Sequence, residues 1–425
     1  MRRIQRVTVA GCTLVVLGAG GCTDVPMQSR RAEVLAPRFA TVITERVPYT
    51  PPQDSTGAYL LPKACDVLIG EPAVEAGDPA ATMYAHQLFV DVPAGSTVRL
   101  LPDTTLTLPA GVEHDVMLDD TGTPAPGGTV FGCDARDPDD PTQPVVDPVT
   151  GEPAKGNGIV VGTSGITLDL NGYGIRSWIS AASFDPALEG VGIAVAGSGV
   201  TVTNSRVDGA DGGPVISVVS GFADNIDIEA ENPTLSGLVV DHDGDPATPD
   251  EYNLVVAGSV RLRRFTGTAT VNAIASVGPD PAAGEGLLLR DCLSQSVTVT
   301  NSRFIGGAEG VFIRECSGVT FEDNFVSSPS GNGISTREAQ SLATSPIVIR
   351  DNTIADTGLS GILWGRESVN AAGLTIEGND ISGWGTCGFE LGERDAEIAP
   401  LTLAQIEAAN TFPANAANTT CVEGG

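Results

Sequence analysis

The chain has 425 residues and a formal net charge of −30, because 53 Asp and Glu residues outnumber 23 Lys and Arg residues. So acidic a chain repels phosphate backbones, which disfavours nucleic acid as a partner. The 52 glycines, 29 prolines and 41% apolar residues indicate many turns around a large core. This length suggests two or three domains, unless the chain is a solenoid that grows by adding coils to one core.

The N-terminus has the features of an export signal. Three arginines among the first six residues precede an apolar run, 7–18, that is too short to span a bilayer. The ending before Cys22 resembles the lipobox of bacterial lipoproteins, except that Ala19 stands where Leu is usual. We predict a signal peptide over 1–21 and a lipid on Cys22, with plain secretion or an uncleaved anchor as alternatives.

Cysteine usage agrees with export. Six cysteines follow Cys22, and an even number in an oxidising compartment indicates disulfides. There is no Cys-x-x-Cys pair and there are only three histidines, which disfavours a transition-metal site.

A repeat dominates the second half of the chain. Each unit consists of a glycine, a short alternating apolar run, a turn and a second such run, and from residue 286 the units are 23 to 28 residues apart. Periods of this size without intervening helices indicate stacked β-coils. The units begin at Gly286, Gly310, Gly333, Gly361 and Gly388.

The alternation predicts which side chains face the core. Leu287 and Leu289 in one unit, like Val311 and Ile313 in the next, share one face of a strand. Because one coil cannot bury its own inner face, the coils must stack at about 4.8 Å per rung.

We therefore predict an all-β solenoid of about nine to ten coils. The predicted divisions are a spacer over 22–45, an entry or cap segment with an acidic loop over 46–157, the solenoid over 158–400, and a C-terminal cap or tail over 401–425.

Four asparagines follow the second run in consecutive units: Asn301, Asn324, Asn352 and Asn379. Asn tolerates tight turns and hydrogen-bonds to its neighbours there. We interpret the row as a structural ladder, with a binding role as the alternative.

The segment 165–175, GITLDLNGYGI, resembles the first coil of right-handed parallel β-helix proteins. These are the pectate-lyase-like superfamily and its bacterial surface relatives, and 97–133 resembles their entry segment. The resemblance covers roughly residues 60 to 400 and implies a right-handed parallel β-helix. It implies no single activity, because this fold hosts lyases, hydrolases, epimerases, adhesins and accessory proteins.

The register of such coils also predicts disulfides. Cys292 and Cys316 occupy equivalent positions of adjacent units, within bridging range. We predict two further bridges at the open ends, which need protection against edge pairing. These are Cys65–Cys133 in the entry segment and Cys387–Cys421 in the tail.

An Arg followed by an acid recurs after the first run, at Arg290, Arg314 and Arg337. It returns at Arg366 and Arg394 with a longer offset. The first three arginines are expected to point outward, one rung above another. A row of guanidinium groups could bind the carboxylates of a uronic-acid polymer.

Two further residues complete this binding hypothesis, since outward Leu288 and Phe312 could pack on sugar rings. The alternative is a salt-bridge ladder in which acids such as Glu315 neutralise the arginines, and the paired acids favour it. No catalytic residue is assigned; Arg290, Arg314, Arg337 and Glu315 are weak candidates, and neither an outward aspartate pair nor a nucleophile elbow is found.

An acidic loop gives a weak candidate for Ca²⁺, the one cofactor that we consider. Asp241, Asp243 and Asp245 alternate like the first half of a calcium loop. Pro246 departs from the EF-hand pattern, which needs Gly there, so a solvated acidic loop is the alternative.

The combined prediction is an exported, lipid-anchored, monomeric protein of the cell envelope or cell surface that acts as a binding or structural module for glycans. The lipid anchor is its predicted membrane contact, and its partner is a glycan or an envelope protein. The alternatives are a polysaccharide lyase or hydrolase, and an accessory protein of envelope maturation.

Overall fold

The computed structural model describes most of the second half of the chain and parts of the first. The described residues are 47–62, 67–70, 88–101, 116–117, 130–132, 136–137, 140–144, 158–176, 191–205, 217–220, 224–241, 260–277, 284–293, 295–392, 396–414 and 416–422.

Three long sheets run along the molecule, and successive strands enter them in turn. Sheet 1 contains, in spatial order, β1 (Val47–Tyr49), β4 (Leu88–Val90), β3 (Val67–Ile69), β10 (Ile159–Val161), β13 (Val191–Val195), β16 (Asp224–Ile228), β19 (Val260–Arg263), β22 (Glu285–Cys292), β25 (Glu309–Cys316), β28 (Ile334–Arg337), β32 (Ile362–Trp364), β36 (Phe389–Leu391) and β37 (Thr420–Val422).

The other two long sheets follow the same order along the solenoid. Sheet 2 contains β2 (Tyr59–Leu61), β5 (Thr97–Leu100), β11 (Thr167–Asp169), β14 (Thr201–Thr203), β17 (Thr234–Ser236), β20 (Thr268–Asn272), β23 (Ser296–Thr300), β26 (Val319–Glu322), β30 (Val348–Arg350) and β34 (Thr375–Glu377). Sheet 3 contains β6 (Val116–Met117), β7 (Val130–Gly132), β12 (Gly174–Arg176), β15 (Ser217–Ser220), β18 (Leu238–Asp241), β21 (Ala275–Val277), β24 (Arg303–Ile305), β27 (Phe325–Ser327), β31 (Thr353–Ala355) and β35 (Asp380–Ser382).

Two small pairs lie outside the long sheets. β8 (Arg136–Asp137) pairs with β9 (Asp140–Pro144) in antiparallel fashion. β29 (Gln340–Leu342) pairs in parallel with β33 (Val369–Ala371), and the two strands lie between sheet 1 and sheet 2 in the chain order of two successive coils.

The predicted parallel β-helix is confirmed. From β10 to β35, the described strands repeat the order sheet 1, sheet 2, sheet 3 eight times, with β3, β5 and β7 before the first coil. The strand pairs between these coils are parallel, as between β22 and β25. The inward positions are those that the alternation predicted: Leu287, Leu289, Val311 and Ile313 are fully buried in one continuous core.

The glycine that begins each unit occupies the corner between sheet 3 and sheet 1. A Cβ atom at Gly310 would lie 2.4 Å from Cγ1 of Val326 and 2.6 Å from the carbonyl oxygen of Gly333. A Cβ at Gly333 would meet Ile354 in the same way, at 2.6 Å. The corner therefore requires glycine for space, because core side chains and the next coil fill the position where a Cβ would stand.

The N-terminal entry departs from simple chain order, since β4 lies between β1 and β3 in sheet 1. Arg99 ties this entry to the first coil through Asp54, at 2.6 Å, and Asp169, at 3.0 Å.

The C-terminal segment covers the other end. The helix Leu403–Ala409 begins with a capping box between Thr402 and Gln405. The amide of Gly378 donates to the carbonyl oxygen of Ala409 at 2.7 Å, so the helix lies over the end of sheet 2. β37 continues sheet 1 to Val422, beyond the predicted solenoid boundary at residue 400.

Candidate functional site

The outer face of sheet 1 carries a column of arginines. Arg263, Arg290, Arg314 and Arg337 are consecutive Cα partners in β19, β22, β25 and β28. Adjacent strands lie about 4.8 Å apart, so the guanidinium groups form a row along the solenoid axis. Sequence reasoning missed Arg263, although 260–263 alternates just as 287–290 does.

Each of the predicted arginines contacts the acid that follows it. The Nε atom of Arg290 lies 3.4 Å from the carboxylate of Asp291. The Nε atoms of Arg314 and Arg337 each lie 3.0 Å from the carboxylate that follows, which belongs to Glu315 and to Glu338 respectively. The acids can turn back because their backbones are left-handed, with φ of 55°, 51° and 55°. Arg366 pairs with Glu367 in the same way at 3.2 Å, while Arg394 lies outside the described residues.

The ion pair between each arginine and the acid that follows it is made through Nε. In Arg314 and Arg337, it is Nε that donates the hydrogen bond to the following acid. The arginines are therefore neutralised in part by the acids that follow them. Arg263 differs, because its Nη2 atom contacts Asp227 and lies 3.3 Å from Glu229.

The acids beside the arginines repel one another. Desolvation raises the pKa of Glu315, contact with Asp291 raises it further, and Arg314 lowers it. The acids therefore attract the neighbouring arginines, but they also repel one another because they are stacked on adjacent coils.

Leu288 and Phe312 lie on the outer face of sheet 1, between the arginine row and the sheet 3 corner. They are Cα partners and only 8% and 9% exposed. These two side chains are therefore too buried to stack on sugar rings, and the prediction that they offer such a surface is wrong.

A pair of glutamates stands at the start of the same strands. Glu285 and Glu309 are Cα partners on adjacent coils. Burial raises the pKa of Glu309 to about 7, and repulsion by Glu285 adds to this, although Ser335 and Asn332 favour the charged form. These residues, each of which directly precedes a corner glycine, were not predicted from the sequence, where outward aspartate pairs were the expected signal.

The asparagine ladder is present with a different first member. The side-chain amide of Asn324 donates to Asn352 at 3.2 Å, Asn352 to Asn379 at 2.9 Å, and Asn379 to Asn410 at 2.8 Å. Asn410, at the end of the C-terminal helix, was not predicted as a member.

Asn301 is a correction to the predicted ladder. It is exposed and left-handed, with φ of 51°, like Asp323 and Asp351 in the next coils. Ser302 takes the ladder position, and its backbone amide donates to Oδ1 of Asn324 at 2.9 Å. The predicted alignment was one residue out of register at this coil.

Two predicted disulfides are confirmed. Cys292 and Cys316 are bridged on adjacent rungs with a Cα–Cα distance of 4.3 Å, and Cys387 and Cys421 are bridged at 6.2 Å. The second bridge connects the loop before β36 with β37, so it pins the tail.

The other predicted sites cannot be placed. Cys22, Cys65, Cys133, Asp243 and Asp245 lie outside the described residues, and of Asp241 only the backbone at the end of β18 is described. Among the described residues, no group of three or more His, Cys, Asp or Glu side chains is arranged to hold a metal. Nor does the described part contain a helix with the length and apolarity of a membrane span.

Comparisons with known proteins agree with the fold. Residues 252–403 match the family model described as the right handed beta helix region. Among curated proteins, no relative matches the sequence.

Solved structures give similar but distant matches. The A-module of the Azotobacter vinelandii mannuronan C-5 epimerase AlgE4 is 11% identical with a TM-score of 0.27, over 77% of this chain and 91% of that one. The AlgE6 A-module is 12% identical with a TM-score of 0.29, over 89% and 90%. The catalytic domain of a GH87 α-1,3-glucanase in complex with nigerose is 9% identical with a TM-score of 0.20, over 71% and 65%.

Proposed function

Because the chain is a right-handed parallel β-helix repeat protein, we propose that it is an exported binding module whose outer sheet 1 face takes an anionic glycan. The observation that carries the proposal is the row formed by Arg290, Arg314 and Arg337, one residue per coil. A polymer lying along the solenoid axis meets a guanidinium group about every 4.8 Å.

The geometry of each arginine supports an anionic ligand. Since the following acid engages Nε, the Nη atoms can donate to a carboxylate or sulfate of the glycan. The acids keep the local charge near neutral, so the affinity per arginine is low. Several rungs acting together supply the binding through avidity.

This arrangement makes a length-dependent prediction for the ligand. Oligosaccharides that reach one arginine bind weakly, and affinity rises with each further charged sugar until the row is spanned. A neutral glycan lacks the carboxylates and gains nothing from the row, since Leu288 and Phe312 offer little open surface.

The proposal is tested by titration calorimetry with polygalacturonate and alginate oligomers of increasing length. A neutral glucan serves as the comparison ligand. The variant Arg314→Gln interrupts the row and is expected to weaken binding by about tenfold. Arg350→Gln is the matched control, because Arg350 forms an ion pair with Glu322 at 2.8 Å on sheet 2.

Equal binding of neutral and anionic glycans, or equal losses in the two variants, contradicts the proposal. The same incubations are assayed for new reducing or unsaturated ends, which tests the polysaccharide lyase or hydrolase alternative. A protein that binds without producing such ends acts as a binding module toward those glycans.

Export and lipid anchoring are a separate part of the proposal. They rest on the basic N-terminus, the apolar run 7–18 and the small residues before Cys22. The lipid anchor is tested by labelling with a fatty acid. We expect the wild-type chain to incorporate the label and the Cys22→Ser variant not to. Labelling that persists in the variant contradicts it.

A further inference from the structure

The glutamate pair at the start of β22 and β25 lies apart from the arginine row, at the other end of the outer face. Glu285 is 5% exposed and is the Cα partner of Glu309 on the next coil. Because adjacent strands lie about 4.8 Å apart, the two glutamates occupy neighbouring rungs at the same corner of the solenoid.

The groups around Glu309 satisfy it only loosely. The backbone amide of Asn332 donates to Oε2 at 3.2 Å, and its side-chain amide donates to Oε1 at 3.3 Å. No Arg or Lys of the described chain forms an ion pair with Glu309, in contrast to the paired acids elsewhere on this sheet.

A third oxygen points into the same place from the next coil. Ser335, in β28, is 3% exposed, and its hydroxyl lies near enough to favour the charged form of Glu309. Within the described chain, this hydroxyl makes no hydrogen bond of ordinary length and angle. A buried hydroxyl without such a bond is costly unless another ligand takes it.

We propose that Glu285, Glu309 and Ser335 bind a hard divalent cation, Ca²⁺ in the first place, which bridges three successive coils. Two carboxylates can supply up to four oxygens and the hydroxyl a fifth. Water completes the shell on the partly exposed side of Glu309. Nitrogen and sulfur ligands are absent from this set, which disfavours zinc and copper.

The cation has a structural consequence that is independent of glycan binding. The disulfide between Cys292 and Cys316 joins the ends of β22 and β25, and the cation joins their beginnings. Through Ser335 the cation also contacts β28. Asn332, in the loop before β28, donates a hydrogen bond to the carboxylate of Glu309.

The test uses the full chain freed of metal by chelation and then dialysed. Titration calorimetry and thermal unfolding with CaCl₂, and separately with MgCl₂, measure binding. We expect saturable binding of Ca²⁺ with a rise in Tm, loss of both in Glu309→Gln, and at least tenfold weaker binding in Ser335→Ala. Glu322→Gln is the control, since Glu322 pairs with Arg350 on another sheet.

A second control separates this site from the acidic loop. Asp243→Asn changes that loop and leaves the glutamate pair intact, so it is expected to keep the Ca²⁺ response. The proposal is overturned if CaCl₂ gives neither heat nor a change in Tm. It is equally overturned if Asp243→Asn abolishes the response while Glu309→Gln and Ser335→Ala retain it.

Discussion

Asn352 donates a side-chain hydrogen bond of 2.9 Å to Asn379, one coil further along the solenoid. Its Nδ2 atom also donates to the carbonyl oxygen of Phe321 at 3.0 Å, and its Oδ1 accepts from the backbone amide of Asn324 at 3.0 Å. One side chain thus serves three coils from a position that is 1% exposed.

We expect Asn352→Ala to lower the free energy of unfolding by about 2–4 kcal/mol, because it leaves buried donors and acceptors without partners. Asn301→Gly is the control, since Asn301 is exposed and Gly accepts its left-handed backbone. Its cost is expected to stay below about 1 kcal/mol. Urea unfolding of both variants measures the difference, and equal costs contradict the ladder.

The corner glycines give a steric prediction. Gly310→Ala places a Cβ against Val326 and the backbone of the next coil, so both must move. We expect a loss of about 3 kcal/mol, at the upper end for overpacking. Gly199→Ala, where a Cβ meets nothing within 4 Å, should cost about 1 kcal/mol for its left-handed φ of 66°. A corner variant as stable as this control contradicts the steric account.

The disulfide between Cys387 and Cys421 is expected to hold the tail against the last coil. Replacing both cysteines by Ser should lower stability by about 2–4 kcal/mol and increase proteolysis around β37. Replacing Cys292 and Cys316 should leave cleavage of the tail unchanged, because that bridge lies three sheet 1 strands before β36. Limited proteolysis with mass spectrometry distinguishes the two bridges, and a tail that is cleaved equally in both variants is the contrary result.

Glu315 predicts a specific pH dependence. Its pKa is raised in the folded chain, first by desolvation and then by Asp291. The folded state therefore holds this proton more tightly than the unfolded state. The resulting stability is present below the ordinary Glu pKa, about 4.3, and is lost as pH rises through the raised value.

The variant Glu315→Gln removes this titration, so the stability of the wild type relative to it should fall between mild acid and neutral pH. Asp54→Asn is the contrast, because hydrogen bonding from Thr56 lowers the pKa of Asp54. Its stabilisation is present above the ordinary Asp pKa and lost only in stronger acid. Urea unfolding across this pH range measures both, and a difference for Glu315→Gln that is constant with pH contradicts the assignment.

Much of the architecture could be predicted because it depends on local patterns. The period of 23 to 28 residues and the alternation at Leu287 and Leu289 determine which side chains enter the core. Equivalent positions in the period also placed Cys292 opposite Cys316.

The structure differs from the sequence-based prediction where the amino-acid sequence is compatible with more than one register between coils. Asn301 and Asn324 both follow an apolar run, but only the inward positions of Phe304 and Val326 fix the alignment, and they pair Ser302 with Asn324. The order of β3 and β4 could not be predicted either, because it depends on pairing between strands whose sequences are equally apolar. Glu309 was missed because its burial comes from the following coil and loop, which local alternation does not reveal.

The corner glycines also define a modular unit of length. Gly286 and Gly310 stand at equivalent corners of coils joined by a disulfide with a sequence separation of 24 residues. Excising residues 286–309 would rejoin two equivalent corners and remove one arginine from the row, together with Cys292 and Glu309. The number of coils therefore sets the length of the arginine row along the solenoid axis.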